Sequence, residues 1–164
     1  MGRSLETGSV FFMRIEQNPR MLEQLKRHEG LRLEPYRDTV GVLTVGYGHN
    51  LEAWPVPGVG EGGRITQEQA EALLAEDVAR AAAGLDRALP WWRELGEERQ
   101  AVLLNMCFNL GLPKLCGFSK MLAAAEKGQW VRATQEMGDS LWARQVKRRA
   151  LELMNQMLDG VWQA

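Results

Sequence analysis

The chain has 164 residues and a mass of 18.5 kDa, with 45% hydrophobic and 25% charged residues. That suffices for one globular domain with its own core, and it excludes a disordered chain. The formal net charge is −1 and the pI is near 6.2, which excludes a wholly basic nucleic-acid binder. Two cysteines (Cys107, Cys116) and two histidines (His28, His49) supply neither a disulfide framework nor a zinc knot, so free thiols, no metal and no cofactor are expected.

In chain order, residues 1–12 read as a leader or tail, with Met13 opening a sensible chain. The apolar run Val10–Met13 is too short for a signal-peptide core. No run approaches the roughly 18 apolar residues of a membrane-spanning helix. Residues 14–28 predict a helix with Ile15, Met21, Leu22 and Leu25 on one side, ended by Gly30. Over 31–49, Pro35, three glycines and the segment Val42-Leu43-Thr44-Val45 predict a small antiparallel hairpin or three-stranded sheet. Residues 50–64, rich in proline and glycine, predict a loop. Thr66 with Gln69 forms a capping box that opens a helix over about 67–83. Beyond it, helices are predicted at about 90–95, 97–110, 118–127, 130–138 and 146–159. The fold class is therefore α+β. A small N-terminal lobe (about 14–64) is joined by the long helix to an all-helical lobe (85–164), within a single domain spanning 1–164. A groove between two lobes is a common ligand geometry.

Several patterns carry less than they suggest. Gly58, Gly60 and Gly63 match a dinucleotide-binding spacing, but no strand precedes them. Trp130, Trp142 and Trp162 read as packing residues, and Trp91-Trp92 as the seal of a helix start. The methionines read as core filler. Nothing basic and repeated marks a DNA-recognition helix. Residues 66–113 carry a net charge of −4 and residues 114–149 a net +5. The positive stretch is either a solvated surface or a weak, salt-sensitive attachment to an anionic polymer.

Glu29 closes the first predicted helix, with Leu31 and Leu33 nearby. Asp38 lies nine residues on, in a polar turn, and Thr44 six further, on a strand. Two carboxylates in unlike surroundings are what acid–base cleavage of a glycosidic bond needs. One keeps a proton for the leaving oxygen, and the other stays ionised to activate a water. On spacing alone, the pair reads first as solvated surface.

The wider string runs Arg27-His28-Glu29-Gly30-Leu31-Arg32-Leu33-Glu34-Pro35-Tyr36-Arg37-Asp38-Thr39, then Thr44-Val45-Gly46-Tyr47-Gly48-His49. It resembles the catalytic segment of the phage-type lysozymes, or endolysins. Ile65-Thr66, Asn105–Gly111, Gly117-Phe118-Ser119, Trp142 and Arg148-Arg149-Ala150 extend the resemblance over roughly residues 14–162. It implies a lysozyme-like fold and a metal-free hydrolase of the β-1,4 bond between N-acetylmuramic acid and N-acetylglucosamine in bacterial peptidoglycan.

By that resemblance Glu29 is the general acid, Asp38 activates or holds the attacking water, and Thr44 helps to position it. An inverting pair of this kind stands roughly 6.5–9.5 Å apart. Arg149 would reach Glu29 from the C-terminal lobe, His49 would pair with Asp77, and Phe108 would line the groove. Asn50, Met121 and Glu136 fall at further groove positions, where Met121 and Glu136 depart from the polar, uncharged residues usual there. The loop at 52–64 is also shorter than usual. The resemblance further implies a monomer without a stable membrane anchor. It would be held in the host cytoplasm until a separate pore-forming protein opens the way to the wall. A lytic transglycosylase, which needs no second carboxylate, and a catalytically silent wall-binding module are the alternatives. The Glu29, Asp38 and Thr44 set speaks against both.

Overall fold

A computed structural model describes residues 13–163; the leader expected at 1–12 lies outside the described residues. A single 3-10 turn, Ile15–Gln17, precedes helix α1, Pro19–Glu29. The helix thus starts later than its apolar periodicity suggests. Asn18 caps it by accepting from the Arg20 N–H at 2.8 Å, and Pro19 occupies the first position, where a missing N–H costs nothing. Gly30, with φ 72°, ends it as expected.

Strands β1 (Arg32–Arg37), β2 (Leu43–Gly46) and β3 (His49–Asn50) form one antiparallel sheet in that order. The register pairs Tyr36 with Thr44 and Thr44 with Asn50. A Cβ on Gly46 would stand 3.3 Å from the Ala70 Cβ, so β2 lies close against helix α2, Gln67–Ala88. Both hydrogen bonds of the Thr66–Gln69 capping box are present. Helix α2 passes through Gly84 instead of stopping near it. The glycine there makes room for Leu112, whose Cδ2 would be 3.2 Å from an added Cβ.

Six further helices follow: α3 (Glu97–Leu110), α4 (Leu112–Cys116), α5 (Ser119–Glu126), α6 (Trp130–Gly138), α7 (Leu141–Val146) and α8 (Arg148–Asp159). The segment expected at 90–95 is only a 3-10 turn, Trp92–Glu94. It is pinned by Trp92 Nε1, which donates to Asp86 at 2.8 Å. The helix expected at 146–159 is α8, which starts two residues later, after Lys147 with φ 45°; the short helix α7 before it was not expected. Every residue of α3 from Ala101 to Cys107 is buried, so this helix is the axis of the core. Met21 and Leu25 of α1, Val45 of β2 and Leu153 and Met157 of α8 belong to the same buried cluster. Among the described residues no helix is long and apolar enough to cross a membrane.

Candidate active site

Glu29, Asp38 and Thr44 line one cavity of about 370 Å³, together with Tyr36, Asn50 and Phe108. Each arrives there by a different route. Asp38 sits in the β1–β2 turn, where its Oδ1 accepts the backbone N–H groups of Val40 (2.9 Å) and Val42 (2.8 Å). Its own N–H donates to the Val42 carbonyl at 3.0 Å. The turn holds the carboxylate by one oxygen and, among the described residues, leaves Oδ2 without a partner. Thr44 is buried, and its hydroxyl donates to the Val42 carbonyl at 2.8 Å. With that proton committed, Oγ1 can only accept from a further partner.

Glu29 stands at the C-terminal end of α1, the end that disfavours a negative charge. Arg149 Nη1 donates to its Oε2 at 2.8 Å, and both side chains are largely buried, at 11% and 17% exposure. Gly48 is there because nothing larger fits. At φ 77°, a Cβ would overlap Glu29 Oε1 and stand 3.0 Å from its Cδ. In the sequence Gly48 served as punctuation and as part of the family string, without this steric reason.

Behind Arg149 runs a buried polar network that the sequence did not reveal. Arg149 Nε donates to Asn105 Oδ1 at 2.9 Å. A guanidinium only donates, so this bond fixes the Asn105 amide, whose Nδ2 then faces Gln24 Oε1 (3.2 Å) and His28 Nδ1 (3.1 Å). His28 Nδ1 must therefore accept, which puts the ring proton on Nε2, 3.1 Å from Glu152 Oε1. Burial pushes the His28 pKa down despite Glu152, in keeping with a neutral ring. Burial opposes charge on Glu152 too. Hydrogen bonds from Arg27, His28 and Gln24 outweigh it and hold the Glu152 carboxyl at about 2.

His49 has the opposite setting. Its Nδ1 lies 2.8 Å from Asp77 Oδ2 and its Nε2 2.8 Å from the Trp54 carbonyl, both acceptors. Burial works against a charged ring, but these two partners outweigh it and raise the His49 pKa. Tyr36 was part of the family string but was given no role, although its cross-strand pairing with Thr44 places both on one face of the sheet. Its phenol pKa is raised, first by burial and then by the nearby charges of Glu29 and Asp38, against the pull of Arg32.

Asn109, on the same wall as Phe108, accepts from Trp142 Nε1 at 2.7 Å. Met121 and Glu136 do not line this cavity. They border a separate one of about 340 Å³ beside α5 and α6. Among the described residues no group of three His, Cys, Asp or Glu side chains gathers as a metal site.

Residues 26–156 match the family model for phage lysozyme. The chain belongs to the phage lysozyme family. It is a glycoside hydrolase by that membership, and its α+β architecture agrees with it. Its relatives include the pre-baseplate central spike protein Gp5 of Enterobacteria phage T4, 35% identical over 87% of this chain but only 28% of the spike protein. The chain thus spans less than a third of that relative's length. A probable T4-type lysozyme of Dictyostelium discoideum is 26% identical over 87% of this chain and 95% of its own length. An endolysin of Acyrthosiphon pisum secondary endosymbiont phage 1 is 39% identical over 54% of this chain and 55% of its own.

Proposed function

We propose that this phage lysozyme hydrolyses the β-1,4 bond between N-acetylmuramic acid and N-acetylglucosamine of bacterial peptidoglycan, with inversion at the anomeric carbon. The observation that carries the reading is the single cavity faced by a shielded Glu29 and a half-free Asp38. A water between Asp38 Oδ2 and Thr44 Oγ1 would meet two acceptors. Both its hydrogens would be taken, leaving a lone pair for the anomeric carbon. As that C–O bond forms, the water's proton passes to Asp38. The glycosidic C–O bond breaks, and the leaving oxygen takes the proton of Glu29.

In this scheme Arg149 positions Glu29, and a sugar filling the cavity would exclude water. Asp77 orients His49 behind the β3 strand, and Phe108 packs on the sugar. The fold is taken to work as a single-domain monomer that needs no metal. It would collect in the host cytoplasm until another protein opens the membrane, and lyse the cell from there. The likeness to the T4 spike protein favours a second setting for the same reaction, as one part of a larger phage protein. Detection in purified virions, as against lysing cells, separates the two settings.

Mass spectrometry of fragments released from purified peptidoglycan tests the reaction. Fragments ending in reducing muramic acid are expected. Anhydro-muramic ends, lighter by one water, would make it a transglycosylase and leave Asp38 without a role. No fragments from folded protein would leave a wall-binding module.

A further inference from the structure

A second cavity of about 360 Å³ adjoins the first and shares Gly48, Asn50, Phe108 and Gly111 with it, so the two are chambers of one groove. Trp54 and Arg80 form part of its wall. Trp54 keeps 48% of its surface exposed, yet it is not loose. The Arg80 guanidinium carbon sits 3.6 Å from the indole centroid, covering one face. Arg80 Nη1 is itself held by Asp77 Oδ1 at 2.8 Å. Asp77 Oδ2 binds His49, and His49 Nε2 donates to the Trp54 carbonyl. The contacts therefore close a circuit from the indole through three side chains back to the tryptophan's own backbone. The turn that carries it is fixed too. Asn50 Oδ1 accepts from the Glu52 and Ala53 N–H groups at 2.9 Å each, and the Trp54 N–H donates to the Asn50 carbonyl at 3.0 Å.

Ordering an exposed indole costs side-chain entropy and leaves apolar surface in water. Core packing does not explain that expense, because about half of the residue's surface stays exposed. A rigid aromatic plate beside a sugar-cleaving cavity is suited to the apolar C–H face of a pyranose. We propose that Trp54, backed by Arg80, is a saccharide subsite. It would take an N-acetylhexosamine ring of the glycan strand beyond the two sugars at the scissile bond. This rests on the glycan-cleaving function proposed above.

The test compares kinetics on purified glycan strands of four and of eight sugars for the wild type and for Trp54→Ala, Trp54→Gln and Trp54→Phe. Covering roughly 60 Å² of indole corresponds to about a tenfold change in affinity. The alanine and glutamine variants should raise KM on the long strand about tenfold more than on the short one, with the loss in KM and not in kcat. Phenylalanine should recover most of it. An equal change on both strands, or none on the long one, overturns the subsite. The same variants in a Glu29→Gln background, titrated with the long strand, give a binding readout that needs no turnover. Melting temperatures identify a variant that has lost its fold, and the phenylalanine and glutamine pair decides the matter if alanine does. If the wild type cuts and binds neither strand, the glycan-cleaving reading falls, and the subsite with it.

Discussion

The two carboxylates of the cavity are held in contrasting ways. Asp38 is held by its own neighbourhood, through N–H groups two and four residues away. Glu29 is held from 120 positions along the chain by Arg149, which is braced in turn by Asn105, His28 and Glu152. The difference matches the work proposed for each. A base that must accept a proton keeps one oxygen available for water. An acid that must deliver a proton is aimed by a side chain from the other lobe, so its position depends on both lobes. A local turn can be damaged without disturbing the core, whereas the Glu29 arrangement is tied through Arg149 to the buried Asn105 and Gln24.

Changes at the two sites should separate these roles. Glu29→Gln should lower activity on peptidoglycan by about 10⁴-fold, at the upper end for a lost proton donor. Its melting temperature should stay near the wild type's, since an amide oxygen can still accept from Arg149. A variant keeping more than a few per cent of activity would remove Glu29 as the acid. Asp38→Asn should cost about 10³-fold, because the amide oxygen keeps the two turn bonds but the base is gone. Asp38→Ala should lose the turn as well, and near-wild-type rates in either variant would free Asp38 of any chemical role.

Arg149→Ala is expected to act mainly on the fold. It strands a largely buried Glu29 and a fully buried Asn105, at a cost of about 3 kcal/mol in denaturant unfolding. A loss of activity with no loss of stability would mean that the arginine only positions Glu29 and does not brace the fold. Gly48→Ala sharpens the comparison further, since strain at positive φ and the overlap with Glu29 should together cost about 2 kcal/mol. Wild-type stability there would show that Glu29 has more room than its packing suggests.

Smaller effects belong to pH. Glu152 is held at about 2, below its ordinary value, so its contribution is complete above about pH 4.5 and fades as the pH falls towards 2. His28, lowered, also favours the fold at higher pH and loses its share as the pH drops through its folded pKa. His49, raised, works the other way, and its share disappears as the pH climbs through its folded pKa. Thermal melts across pH should show Glu152→Gln flattening the acid limb and His49→Gln flattening the decline that sets in as the pH rises past the ordinary histidine value. Parallel curves for either variant and the wild type would contradict the assignment.

What the sequence disclosed follows the same local-versus-distant division. The Thr66–Gln69 box, the glycine that ends α1 and the sheet-forming run around Thr44 act over a few residues, and all were legible. The start of α1 was misjudged because Ile15 is buried and fits the helical period, while Asn18 and Pro19 decide the boundary. Gly84 looked like a terminator because its tertiary reason, Leu112, is invisible in one dimension. The break at Lys147 has no glycine or proline to announce it. At the site, the Glu29, Asp38 and Thr44 spacing was legible as a pattern, and family resemblance brought Arg149 to Glu29. The His28–Glu152 brace was not legible, because it exists only once α1, α3 and α8 have packed.

The most direct test of the division of labour between Glu29 and Asp38 is the anomeric configuration of the product at the instant of cleavage, followed by proton NMR on a soluble glycan strand. A water held by Asp38 and Thr44 on the face opposite the leaving group must give the α-anomer first, with the β-anomer growing in only by mutarotation. A β-anomer formed first would mean a double displacement, and would contradict the role of Asp38 as the group that delivers the water.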